Sequence, residues 1–384
     1  MYFGACILII GVVNHGQTAL APGGMATGIG SLPFEDPETA LSLILTELPE
    51  APHWPQLPRR SSREHFVYQF LQPLVACGMV ILRNNHWVFD MARDTNAECL
   101  TDFYTTCLPA EEGDPECRRS FIPSQESAAG FHAFLSRMRS KGLDRARFLK
   151  GQIAGPLTVA LELKDEEGRP AYYQGDLRDI IVRTLALNAR CQAAALNGLG
   201  RTPVIFVDDP AISACGSRLH LALNRETILE DLNFIFTAIR SEGAVTGVHS
   251  CEAVDWSLLM ESEVQILSLD AYRFGASLIP YAPQLRAFLE RGGVVAWGIV
   301  PTLDDPYRES GASLLRRLNG LWDQLFPKGP DRASVLRQSM ITPACGTGLL
   351  TADQAERIYR LTAEVSHRVR ELTPSAGNMS FSES

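Results

Sequence analysis

From residue 148 onward, short strand-like apolar runs alternate with longer stretches whose apolar residues recur at helical spacing. Residues 148–154 form the first such run and end in Gly155-Pro156-Leu157-Thr158. A long helix is predicted over 175–199, where Ile180, Ile181, Leu185, Leu187, Ala194 and Leu196 keep helical spacing. Residues 203–207 are apolar without a break, as in a strand covered on both faces, and lead into Asp208-Asp209-Pro210. The alternation then repeats: helix 226–241, strand 244–248, helix 255–261, strand 264–269, helix 283–291, strand 294–299, helix 310–325, strand 340–342 and a closing helix over 351–372.

The earlier part of the chain is less regular. Ala26-Thr27-Gly28-Ile29-Gly30-Ser31-Leu32-Pro33 reads as a short strand entering a loop, and Pro33 stands where a dinucleotide fingerprint would need its third glycine. Asp36-Pro37-Glu38 starts a helix, with Asp36 as its N-cap. Residues 50–60 are proline-rich and break the pattern, 62–77 are predicted as a helix, and 87–89 as a strand or half of a hairpin. Residues 96–127 are polar and irregular, as expected of an insertion folded over one end of a core.

Eight strands are counted, near 26, 87, 148, 203, 244, 264, 294 and 340, and seven are followed by a helix. Repeated β-then-α with short crossovers implies parallel strands, and eight imply a closed (β/α)8 TIM barrel. An open doubly wound sheet is the alternative, but it would want a glycine loop after its first strand. The expected organisation is one domain over 25–384 with an insertion near 50–130, preceded by residues 1–24 as a loose tail or an upstream mis-start.

Composition narrows the function classes. The chain has 384 residues, 46% hydrophobic and 21% charged, which suits a soluble globular protein with ample core. A formal net charge of −9 without a basic run argues against a nucleic-acid surface, leaving small molecules or proteins as partners. The nine cysteines are odd in number, irregular in spacing and free of any CxxC pair, so a reducing compartment is expected rather than a disulfide framework. Cys99, Cys107 and Cys117 suit no common zinc module. Residues 5–13 are apolar and Thr18-Ala19-Leu20-Ala21 resembles a cleavage site, yet no Lys or Arg precedes them. That run is far below the roughly 20 residues that span a membrane. A cytoplasmic protein is expected, with export as the lesser alternative.

The polar residues of interest fall where strands end: Ser31, Asp208, Asp209, His249, Cys251, Asp270 and Cys345. In a barrel those ends converge on one face. His249 and Cys251 are two residues apart, so on a regular strand they point to the same side. With Cys345 from the last strand and Asp270 from a third, an imidazole, two thiolates and a carboxylate would make a tetrahedral zinc site. Zinc on two thiolates has reduced Lewis acidity and suits binding and deprotonating another thiol. The plainer alternative is that Cys251 and Cys345 are buried small hydrophobes and the acids are strand ends meeting water.

Ile29-Gly30-Ser31-Leu32-Pro33, Gly155-Pro156-Leu157-Thr158, Val207-Asp208-Asp209-Pro210-Ala211, His249-Ser250-Cys251 and Pro343-Ala344-Cys345-Gly346 occur in the order seen in the catalytic half of cobalamin-independent methionine synthase, and over roughly 26–372 the chain resembles that family. The wider superfamily, with methylcobamide:coenzyme M methyltransferases and uroporphyrinogen decarboxylase, is built on a TIM barrel. The resemblance implies a zinc-dependent methyltransferase of methionine biosynthesis, with zinc on His249, Cys251 and Cys345. Asp270 stands where the family has a glutamate ligand, one methylene shorter. The Ile29, Gly30 and Ser31 turn would hold the carboxylate of homocysteine and Asp208 its amino group, with Asp209 as the second acid of that motif.

The chain departs from the family in three ways. It lacks the duplicated N-terminal half that helps to bind polyglutamylated folate. Where the family carries a proton-donating histidine, it reads Gly298-Ile299-Val300-Pro301, and Glu252 follows Cys251 in place of the usual continuation. Methyltetrahydrofolate or a methylated corrinoid protein therefore both stand as donors. A metal-free decarboxylase is the alternative, although residues 26–35 contain no Arg to anchor a tetrapyrrole. A non-catalytic zinc-binding or partner-regulating protein on the same barrel is the other.

Overall fold

The computed structural model describes residues 20–83, 86–90, 96–141, 143–215 and 222–372. Its strands are β1 (Met25–Ala26), β2 (Val80–Arg83), β3 (His86–Phe89), β4 (Phe148–Ala154), β5 (Thr202–Asp208), β6 (Val245–Ser250), β7 (Ile266–Leu269), β8 (Val294–Val300) and β9 (Ser339–Pro343). Seven of them make one curled, wholly parallel sheet in the order β1-β9-β8-β7-β6-β5-β4. The concave side encloses Met25, Val204, Phe206, Val245, Ile266, Val294, Ala296 and Met340, and Ala51 joins them. A larger apolar layer lies between the convex side and the helices. This is a TIM-barrel-like α/β fold.

Two expectations need correction. The strand near residue 87 is not a member of the parallel sheet. It pairs antiparallel with β2 as a separate hairpin. The proline-rich 50–60 segment, expected to break the pattern, instead links the two sheet edges. On one side Trp54 N donates to Lys150 O (3.2 Å) and Lys150 N to Pro52 O (2.9 Å). On the other, Gln56 N donates to Gly30 O (3.0 Å) and Leu32 N to Gln56 O (2.9 Å). Pro52 and Pro55 lack amide protons, so no regular ladder forms, only isolated bridges at His53–Lys150 and Ser31–Gln56.

Local signals account for the other differences. The helix expected over 62–77 is two 3-10 turns, Ser62–Glu64 and Tyr68–Phe70, and a short helix Gln72–Ala76 that starts where Pro73 fits its first turn. The irregular 96–127 stretch holds helices Asn96–Glu112 and Pro115–Arg119, the second capped by Asp114, whose side chain accepts from Cys117 N. Asp36 caps the helix Pro37–Glu47 as expected. Of the tail expected before Met25, residues 1–19 lie outside the described residues, while Gly23 N and Gly24 N donate to Arg337 O and Ser339 O. Among the described residues no helix is long and apolar enough to cross a membrane, and the eight described cysteines are free.

Candidate metal centre

His249 enters the site from β6, and Cys251 follows one residue past the strand's end. Cys345 sits two residues beyond β9. A ligand atom from each of the three lies within 4.8 Å of the others, the arrangement a single metal ion requires. His249 is buried and the cysteines are half-buried, so the trio faces outward at the C-terminal ends of the strands.

The imidazole is held from behind. Its Nδ1 lies 2.9 Å from Ser268 Oγ on β7. Its Nε2 is buried without a hydrogen-bond partner, which leaves this nitrogen as the donor for a metal. The hydrogen bond from Cys251 and the adjacent His249 hold Cys345 well below the usual thiol range, whereas Cys251 is pushed well above it. One thiolate and one thiol sharing a proton is what two metal-ligating cysteines do when no cation neutralises both. An unpartnered imidazole nitrogen and two convergent sulfurs fit zinc.

Asp270 follows β7 directly and is buried. Burial raises its carboxyl to about 6, against the pull of the Arg273 amide and of His249. Its Oδ1 accepts from Arg273 N (2.8 Å) and so caps the short helix Ala271–Phe274. The carboxylate is thus beside the trio electrostatically, while the group of mutually close ligand atoms comprises His249, Cys251 and Cys345 alone among the described residues.

The two acids at the end of β5 do different work. Asp209 is buried, and its carboxylate accepts from Leu157 N (3.1 Å), Thr158 N (2.9 Å) and Thr158 Oγ1 (2.5 Å), fastening the helix Pro156–Glu162. A Cβ on Gly155 would fall 2.1 Å from Asp209 Cβ, which explains the glycine before Pro156. Asp208 is different: its Oδ1 is buried without a partner. Burial raises its carboxyl, while Lys150 and His249 draw it back. Its Cα is the register partner of His249, so it stands next to the trio along the sheet.

The Ile29-Gly30-Ser31 turn lies on the other flank. Ser31 O accepts from Thr347 N and Thr347 Oγ1 (2.9 Å each), and Ser31 Oγ accepts from Gly348 N (3.2 Å). The loop that carries Cys345 is therefore clasped to this turn. A Cβ on Gly346 would sit 2.2 Å from Ser31 Oγ, so only glycine permits the approach.

Three contributors escaped the sequence reading. Ser268 lies on β7 two residues before Asp270, a polar position inside an apolar run that could have flagged it. Lys150 and Gln152 interrupt the apolar run of β4 at alternate positions, the signature of polar groups turned to one side of a strand.

No known protein family model matches the sequence, and no curated protein matches it. Among solved structures, the chain is similar to a B12-independent methionine synthase from Shewanella sp. W3-18-1, solved in complex with selenomethionine. The TM-score is 0.51 at 13% identity, covering 91% of this chain and 98% of the other. At that identity the likeness speaks for the fold.

Proposed function

We propose that this chain is a zinc-dependent methyltransferase that activates homocysteine or a similar small thiol, on an eight-staved (β/α)8 barrel whose second stave is the proline-rich 50–56 segment. The observation that carries the reading is the convergence of His249, Cys251 and Cys345 with an unpartnered, buried Nε2 among them. The fold-level likeness to a methionine synthase supports it independently.

In this reading zinc is held by His249, Cys251 and Cys345, and it supplies a Lewis acid that lowers the pKa of a bound thiol so that it reacts as a thiolate. Ser268 fixes the imidazole so that Nε2 faces the metal. Asp270, whose carboxylate faces His249 and Cys345 electrostatically, would offer an exchangeable fourth ligand that the incoming thiol displaces. The free Oδ1 of Asp208 accepts the α-ammonium of the acceptor. The turn at Ile29, Gly30 and Ser31, pinned by Thr347 and Gly348, receives its carboxylate. Asp209 serves by holding the strand end and helix in place rather than by touching the acceptor. The methyl donor is methyltetrahydrofolate or a methylated corrinoid protein.

The test is zinc content of wild type beside Cys345→Ser, with methyl transfer to homocysteine measured from each donor. One zinc per chain, lost with activity in the variant, is expected. A wild type that holds no zinc after reduction and reconstitution would sink thiol activation, and a zinc-loaded protein that transfers no methyl group from either donor would leave a binding protein.

A further inference from the structure

Lys150 is the one lysine turned into the concave side of the curled sheet among the described residues. It is 2% exposed, and its ammonium lies 4.7 Å above the Phe206 ring. A buried ammonium costs several kcal/mol unless it is compensated. Here its hydrogen bonds go to a carbonyl and an amide rather than to a carboxylate. Nζ donates to Ile29 O (2.5 Å) and to Gln152 Oε1 (3.2 Å). The carboxylate with which it interacts across space is Asp208. Gln152 is itself fixed, donating from Nε2 to Trp54 O (3.0 Å), and Gln192 Nε2 donates to Gln152 O (3.1 Å). A single charge on a rigid strand thus reaches both recognition elements of the acceptor site. It grips the first carbonyl of the 29–31 turn, and it supplies the positive counterpart of a buried acid whose own oxygen is unpartnered.

We infer that Lys150 is a positioning residue for amino-acid recognition: through Ile29 it sets the turn that receives the acceptor's carboxylate, and through Asp208 it sets the acid that receives its ammonium. This rests on the proposed acceptor reading of the site and narrows it. The acceptor is then an α-amino acid thiol rather than a simple thiol, because the elements Lys150 braces are the ones that receive a carboxylate and an ammonium.

The test compares binding of L-homocysteine and of 3-mercaptopropan-1-ol, a thiol with neither charged group, by calorimetry on the zinc-loaded chain. Lys150→Met is nearly isosteric and removes the charge. It should keep zinc and the affinity for the simple thiol, and lose about tenfold to a hundredfold in affinity for homocysteine, the range expected of a charge-assisted hydrogen bond. Equal loss for both thiols, or none for either, overturns the positioning role. If wild type binds neither thiol, the acceptor reading fails first and the inference falls with it, a result distinct from unchanged selectivity in the variant. Should Lys150→Met not fold, Lys150→Gln, which keeps a donor toward Ile29, carries the same comparison. Loss of the fold in both assigns Lys150 to folding alone and overturns the inference.

Discussion

Ser268 Oγ and His249 Nδ1 lie 2.9 Å apart, and this contact decides which imidazole nitrogen is left for the two cysteines. Partners that orient a ligating imidazole typically change metal affinity about 10–100-fold when removed. Ser268→Ala should therefore weaken zinc binding by about that factor while leaving the fold intact. Competition against a chromogenic chelator measures it, and unchanged affinity would show that the ring is oriented by packing alone.

Cys345 and Cys251 differ in reactivity before any metal is present. The hydrogen bond from Cys251 and the neighbouring His249 hold Cys345 low, whereas burial raises Cys107 to about 12 and Cys191 to about 11. Because the thiolate is the nucleophile, brief iodoacetamide treatment of the metal-free chain at mildly acidic pH should alkylate Cys345 first. Zinc should protect it. Peptide mass mapping reads both results, and labelling spread evenly over the cysteines would count against the shared-proton pair.

Gly346 and Ser31 leave no room for another atom between them. Gly346→Ala places a Cβ 2.2 Å from Ser31 Oγ, so overpacking should cost about 1–3 kcal/mol in urea denaturation. Ser31→Ala removes the colliding oxygen. The double variant should recover much of that loss, a coupling that a double-mutant cycle resolves. Additive losses would mean the strain is relieved elsewhere in the loop.

Asp231, on the helix Arg225–Arg240, is 3.5 Å from Arg178 yet held at about 6 by its burial. Asp209 is held at about 6 for the same leading reason. An unfolded aspartate titrates at about 3.9, so between about pH 4 and about pH 6 the folded chain keeps protons that the unfolded chain has released. Stability should then fall as pH rises through this window and level off above it, by at most about 3 kcal/mol per group. Urea midpoints across the window check the sign, and Asp231→Asn should remove its share of the slope.

The regular half of the molecule was legible because each strand there is a short, mainly apolar run that leads on to a helix. The strand-end residues were legible for the same reason: once the runs are placed, His249, Asp270 and Cys345 mark their ends. What escaped the sequence was contact-dependent. The bonds of Asp209 to Leu157 and Thr158 span 52 and 51 residues along the chain, and no local pattern tells a fastening acid from its neighbour Asp208, whose Oδ1 is left unpartnered. The 50–56 link was missed because prolines suppress the alternation by which strands are read. Asp114-Pro115-Glu116 repeats the helix-start signal of Asp36-Pro37-Glu38, and only its polar surroundings hid it.

That proline-broken link has a mechanical consequence. From β4 to β8 the wall is joined by continuous parallel ladders, whereas β1 meets β9 at only two register pairs and β4 meets the 29–32 turn through separate bonds at Pro52, Trp54, Gly30 and Gln56. A seam of separate bonds opens with less cooperative loss than the longer ladders between β4 and β9, so amide exchange should proceed faster along this line than within them. The seam borders the Ile29–Ser31 turn, so this flank of the candidate site is built against a more compliant edge than the ladders that carry His249.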